Sequence, residues 1–113
     1  MKKLKVIVCP AEREPYVTNV SDTLEALQKA VGGYIEAVTV LEGVVVLCNE
    51  EGRLMGLPEN RSFFLSGICG DCLICGVEGE EFASLPDPVC GKLLKLCKDR
   101  FRKEKKHGKI RKS

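Results

Sequence analysis

Residues 44–63 read Val44-Val45-Val46-Leu47-Cys48-Asn49-Glu50-Glu51-Gly52-Arg53-Leu54-Met55-Gly56-Leu57-Pro58-Glu59-Asn60-Arg61-Ser62-Phe63. The five apolar residues at its start leave no polar face in a two-residue repeat. Val44–Cys48 is therefore predicted to be a central strand, covered on both sides of a sheet or at least paired along both edges. Past Cys48 the character changes to a polar loop. Asn49, Arg53, Asn60 and Arg61 gather around Gly56-Leu57-Pro58, where glycine and proline fix turns.

Outward from this strand, Glu42-Gly43 is a tight connection back to Tyr34–Leu41, which predicts a hairpin. Asp71–Val77 repeats the continuous apolar pattern and is read as the next long strand. Nearer the N-terminus, Leu4–Cys9 and Tyr16–Val20 flank a polar turn at Ala11-Glu12-Arg13-Glu14 and form a second predicted hairpin. Between the hairpins, Leu24, Leu27, Ala30 and Val31 fall on one helical stripe. Ser21 or Asp22 is the predicted cap, Glu25 would complete a capping box, and Gly32-Gly33 is the stop. This helix is expected to lie across the sheet. A last helix is expected from Ser84 or Asp87, with Pro88 in the first helical position and Val89, Cys90, Leu93, Leu94, Cys97 and Phe101 as its apolar stripe. The predicted order is ββαββ, loop, β, α: an α+β domain with a small, mostly antiparallel sheet.

A chain of 113 residues suits one domain, placed here at 1–101. Charge is unevenly spread. Residues 1–91 carry 7 Lys and Arg against 14 Asp and Glu, a balance of −7, and residues 92–113 carry 11 against 2, a balance of +9. With the apolar stripe ending at Phe101, residues 102–113 are expected to be a frayed or disordered basic tail. Met1-Lys2-Lys3 precedes an apolar run that Lys5 interrupts and Pro10 ends, too short for a signal peptide, and no stretch approaches the roughly 18 apolar residues of a membrane span. The seven cysteines are odd in number and irregularly spaced, which argues against a secreted disulfide framework. A cytoplasmic protein with reduced thiols and no membrane partner is expected.

Several segments taken together resemble a known family. They are Thr23-Leu24-Glu25-Ala26-Leu27-Gln28, Val31-Gly32-Gly33-Tyr34-Ile35-Glu36, Cys48–Leu54 with Gly56–Arg61, Gly70–Gly76 and Glu81-Phe82-Ala83-Ser84-Leu85. The family is the domain of unknown function numbered three-eight-four-six, found in phages, prophages, conjugative elements and their mostly Gram-positive hosts. The resemblance covers almost everything up to Phe101 and implies an accessory protein of a phage or mobile element in the cytoplasm of a host bacterium. It implies no known activity.

Enzymatic chemistry has little to stand on. The single histidine, His107, lies in the basic tail away from any nucleophile, and no glycine-rich phosphate loop opens a helix. Cys69-Gly-Asp-Cys72-Leu-Ile-Cys75 has a spacing that could hold metal, with Cys69, Cys72, Cys90 and Cys97 as a four-thiolate zinc set. Against it, a strand over Asp71–Val77 sends Cys72 and Cys75 to opposite faces. Buried cysteine also serves as a small apolar residue, so no metal or other cofactor is assigned.

Binding is the better reading. Arg53 and Arg61 can take a phosphate through planar, two-bond contacts, Asn49 and Asn60 can read a ribose or base edge, and Phe63, Phe64 and Tyr34 offer stacking faces. The opposing reading has the asparagines closing the loop's own backbone, the arginines pairing with Glu50, Glu51 or Glu59, and the phenylalanines in the core. The expected function is a non-enzymatic protein that binds a host component, such as a nucleotide-derived defence signal held as by a sponge. It would be a homo-oligomer, because ligand pockets often form at interfaces. One alternative is nucleic-acid binding through Lys98, Arg100, Arg102, Lys103, Lys105, Lys106, Lys109, Arg111 and Lys112. Another is inhibition of a host protein by direct docking.

Overall fold

The structure is a computed structural model that describes residues 2–63 and 67–111, with side chains through Lys103. Its elements are β1 (Lys3–Cys9), β2 (Tyr16–Ser21), α1 (Leu24–Val31), β3 (Ile35–Leu41), β4 (Val44–Asn49), β5 (Cys72–Glu78), β6 (Glu81–Ala83) and α2 (Asp87–Arg111). Every strand pair is antiparallel. The strands run β2-β1-β5-β4-β3. β6 takes up the part of β5's edge that lies beyond β1, pairing Gly76 with Ala83 and Glu78 with Glu81.

The all-apolar strands sit in the middle of the sheet. Every residue of β4 is buried, as are the first five of β5. One face gathers Leu4, Val6, Val45, Leu47, Leu73 and Cys75 beneath Leu27 and Val31 of α1. The other gathers Ile7, Cys9, Val46, Cys48, Cys72 and Ile74 beneath Leu85, Cys90 and Cys97 at and along α2. The two faces thus carry one helix each, and Cys72 and Cys75 lie on opposite sides of the sheet.

Four local details differ from the sequence reading, each for a physical reason. Thr23, not Ser21 or Asp22, caps α1: its Oγ1 accepts from the Ala26 amide at 3.1 Å. Strand pairing has already taken the other two, since Ser21 sits opposite Lys3 and the Asp22 amide donates to the Lys2 carbonyl. Leu24 leaves the core stripe and is 63% exposed, because the helix begins there and only its later turns reach the sheet. β6 was not foreseen, being three residues long. Finally, the backbone of α2 runs past Phe101 to Arg111, in keeping with the high helix propensity of lysine, arginine and glutamate. Phe101 is still the last buried residue of the helix whose side chain is described.

Two glycines hold the arrangement. Gly32 ends α1 at φ 79°, a left-handed conformation open to glycine at no steric cost. Gly76 lies where β5 meets β6, and a Cβ there would stand 2.8 Å from the Ser84 carbonyl oxygen.

Candidate functional site

β4 ends in Asn49, whose amide closes the loop that follows. Oδ1 accepts from the Glu51 amide at 2.8 Å, and Nδ2 donates to the Val31 carbonyl at 3.3 Å and to Met55 Sδ at 3.5 Å. These bonds draw the C-terminal turn of α1 and the loop together. The loop then winds through turns, with the Met55 amide bonded to the Glu51 carbonyl and the Leu57 amide to the Gly52 carbonyl. Its far end is stitched by Asn60, which donates to the carbonyls of Cys9 (2.9 Å) and Gly70 (2.8 Å) and accepts from the Ser62 amide (3.0 Å). Asn60 is only 2% exposed. Both of its N–H groups are engaged within the fold, which is the loop-closing role, not a ligand-reading one.

The other residues singled out from sequence separate in space. Arg61 lays its guanidinium over Phe101 of α2. Phe63 packs against the α2-side core. Arg53 is exposed, with Gly67 beside its guanidinium. Tyr34 is 67% exposed. Phe64 lies outside the described residues. The six residues therefore do not form one cluster, and of them only Tyr34 and Arg53 are exposed.

What does assemble at this end of the sheet is a pair of adjoining cavities. The larger, about 430 Å³, is lined by Arg13 from the β1–β2 turn, Lys29 from the last turn of α1, and Met55, Leu57 and Pro58 from the loop, with Asp71 at its edge. The smaller, about 280 Å³, is lined by Gln28, Tyr34, Asn49, Glu51 and Met55. Gly32 and Met55 belong to both. Glu12 also lines the larger cavity, while Asp71 already accepts the Ala11 amide at 2.9 Å through Oδ1. Met55, shared by both cavities, is 57% exposed, and its chain neighbour Leu54 is 86% exposed. Arg13, Lys29 and Met55 were missed in the sequence. No local motif marks them, because they meet only through the packing of α1 and the loop.

The basic helix looks outward elsewhere. Arg102 pairs with Glu14 at 2.8 Å, Lys98 is half-buried and Lys103 is exposed. The side chains of Lys105, Lys106, Lys109 and Arg111, and Lys112 entirely, lie outside the described residues. As for the thiols, Cys69, Cys72, Cys90 and Cys97 are not grouped as ligands. Among the described residues no three His, Cys, Asp or Glu side chains are arranged to hold a metal ion. Burial pushes the Cys72 thiol well up and the Cys75 thiol up to about 11. No described helix is long and apolar enough to cross a membrane.

A family model described as Domain of unknown function (DUF3846) matches residues 1–98. No curated protein and no solved structure matches the chain.

Proposed function

The chain belongs to the DUF3846 family, and from that premise we propose that it is a non-enzymatic binding protein of a phage or mobile element, which sequesters a small anionic, nucleotide-derived host signal. The observation that carries this reading is the pair of joined cavities sharing Gly32 and Met55, with Arg13 and Lys29 on one and Tyr34 on the other. Cations in the larger cavity suit phosphate, and an exposed tyrosine beside the smaller one suits a base. The candidate ligand contacts are accordingly Arg13, Lys29 and Tyr34, since the side chains of Arg61, Asn60 and Asn49 are spent on the fold. The cavities are open to solvent, so a second copy of the chain closing over the ligand fits the same reading.

Calorimetry with a panel of cyclic nucleotides and ADP-ribose derivatives tests it. Binding of one of them, lost in the Arg13→Ala/Lys29→Ala variant and kept after removal of residues 102–113, is the expected result. No heat from any member sinks it. Nucleic-acid binding through α2 would behave oppositely, with a strongly salt-dependent affinity that disappears with residues 102–113. A specific feature favours one further reading, docking of a host protein: Tyr34 and Met55, which line the cavities, and Leu54, next to Met55 in the chain, are large, apolar and exposed. A pull-down from host lysate that depends on Leu54 would support it.

A further inference from the structure

The two joined cavities differ in charge. The larger sets Arg13 and Lys29 against Glu12 and Asp71. Among the described residues that line the smaller, Glu51 is the only charged one. The carbonyl end of α1, at Gly32, borders the smaller cavity too, and such an end carries partial negative charge. A phosphate placed there would meet negative charge alone. The orientation of a ligand follows, with its phosphate against Arg13 and Lys29 and a group rich in N–H donors in the smaller cavity.

The backbone of Glu51 is fixed on both sides. Its amide donates to Asn49 Oδ1 at 2.8 Å, and its carbonyl accepts from the Met55 amide at 2.9 Å. The preceding amide, that of Glu50, donates to the Tyr34 carbonyl at 2.9 Å, which ties Tyr34 to the same wall of the cavity. Asn49 is taken up by these and its other bonds within the fold. The Glu51 side chain is exposed, and among the described residues no ion pair engages its carboxylate. Gln28 of α1 lines the same cavity, with an amide that can donate to a carbonyl oxygen.

Resting on the reading of these cavities as a nucleotide site, we propose that the smaller one is selective for guanine, with Glu51 as the specificity-determining residue. Guanine carries two neighbouring N–H donors on its Watson–Crick edge, N1–H and the 2-amino group. A carboxylate accepts both in parallel through its two oxygens. O6 of the same edge takes the Gln28 amide, and the ring lies on Tyr34. Adenine and cytosine offer the carboxylate one amino donor with a ring-nitrogen lone pair beside it. Uracil offers one N–H between two carbonyl oxygens. Each of these bases leaves a carboxylate oxygen facing an acceptor, and a site built to receive two N–H bonds rejects a ligand that makes only one.

Calorimetry on the full-length protein with the cyclic monophosphates of guanosine, inosine, adenosine and uridine is the test. The guanosine compound should bind about tenfold more tightly than those of adenosine and uridine, or better. The inosine compound keeps N1–H but lacks the 2-amino group, and should fall between. Glu51→Gln has one acceptor oxygen in place of two. It should lose the guanosine preference, hold its adenosine affinity and keep its unfolding midpoint, whereas Arg13→Ala/Lys29→Ala should weaken all four compounds alike. Binding without regard to base, or a guanosine preference that survives Glu51→Gln, overturns the guanine assignment and leaves the nucleotide site standing. No heat from any of the four overturns it as well, and ADP-ribose derivatives then decide whether the nucleotide reading falls with it.

Discussion

The guanidinium of Arg61 lies over the ring of Phe101, 5.1 Å from its centroid. A residue that reads in sequence as a phosphate ligand thereby becomes the clasp between the long loop and the last buried turn of α2. Arg61→Ala should cost about 0.5–1 kcal/mol, the usual worth of such a contact at a partly exposed site. Urea unfolding measures that loss. The same variant should leave ligand affinity unchanged, while the Arg13→Ala/Lys29→Ala variant loses the ligand and keeps its unfolding midpoint.

Asn60 joins β1, the β5 approach and the loop through three hydrogen bonds in a site almost closed to water. Asn60→Ala removes the partner of the Cys9 carbonyl and the Ser62 amide, and leaves the Gly70 carbonyl only the weak Cys72 thiol donor at 3.4 Å. With buried polar groups costing about 1–3 kcal/mol each when left unpaired, a loss of about 3 kcal/mol or more is expected. Asn60→Asp should fare little better, since a carboxylate offers no donor to two carbonyl oxygens. Denaturant midpoints of the two variants check this.

Gly76→Ala should be more harmful than its small volume suggests. The new Cβ would stand 2.8 Å from the Ser84 carbonyl oxygen and 3.2 Å from that of Ala83, both backbone atoms that move only with the strand. The expected cost is about 3 kcal/mol, at the upper end for overpacking. Hydrogen exchange should show β6 losing protection while β2 keeps its own.

Lys5 and Asp87 form an ion pair that joins β1 to the start of α2. The hydrogen bond to Asp87 raises the Lys5 pKa, and the same bond lowers that of Asp87. For Asp87, the stabilisation is present above the ordinary carboxylate value and is lost as pH falls through the depressed folded value. For Lys5, it is present below the ordinary lysine value and is lost as pH rises through the raised folded value. Between those limits the contribution is flat. Asp87→Asn should therefore lower the unfolding midpoint at neutral pH and remove part of its acid decline. Both side chains meet solvent, so added salt should shrink the difference between the variant and the unsubstituted protein.

The fold was legible wherever burial is written on both faces of a strand. Val44–Cys48 and Asp71–Val77 carry apolar side chains in both registers of the two-residue repeat, and they became β4 and β5, adjacent interior strands with the longest buried runs. The order of strands was not legible, because pairing β1 with β5 joins residues some 65 positions apart, as in Ile7 with Ile74. The cap of α1 was misplaced for a related reason: whether Ser21 belongs to a helix start or a strand end depends on Lys3 across the sheet. At the site, the chemistry of Asn60 was recognised but not its occupation, since its acceptors lie 51 and 10 residues away. Arg13 and Lys29 look like ordinary surface charges until α1 is packed beside the loop.

The placement of β5 between β1 and β4 has a consequence for synthesis. β1 and β4 never touch as partners, so the two N-terminal hairpins share a sheet only through residues 72–78. A nascent chain that has left the ribosome only as far as Gly70 therefore carries two ribbons that can share α1 but no strand. The central plank arrives late, and it must be inserted rather than added at an edge. Completion of the sheet then awaits residues 72–78, and until they are in place the inner edges of β1 and β4 lack the strand that joins them.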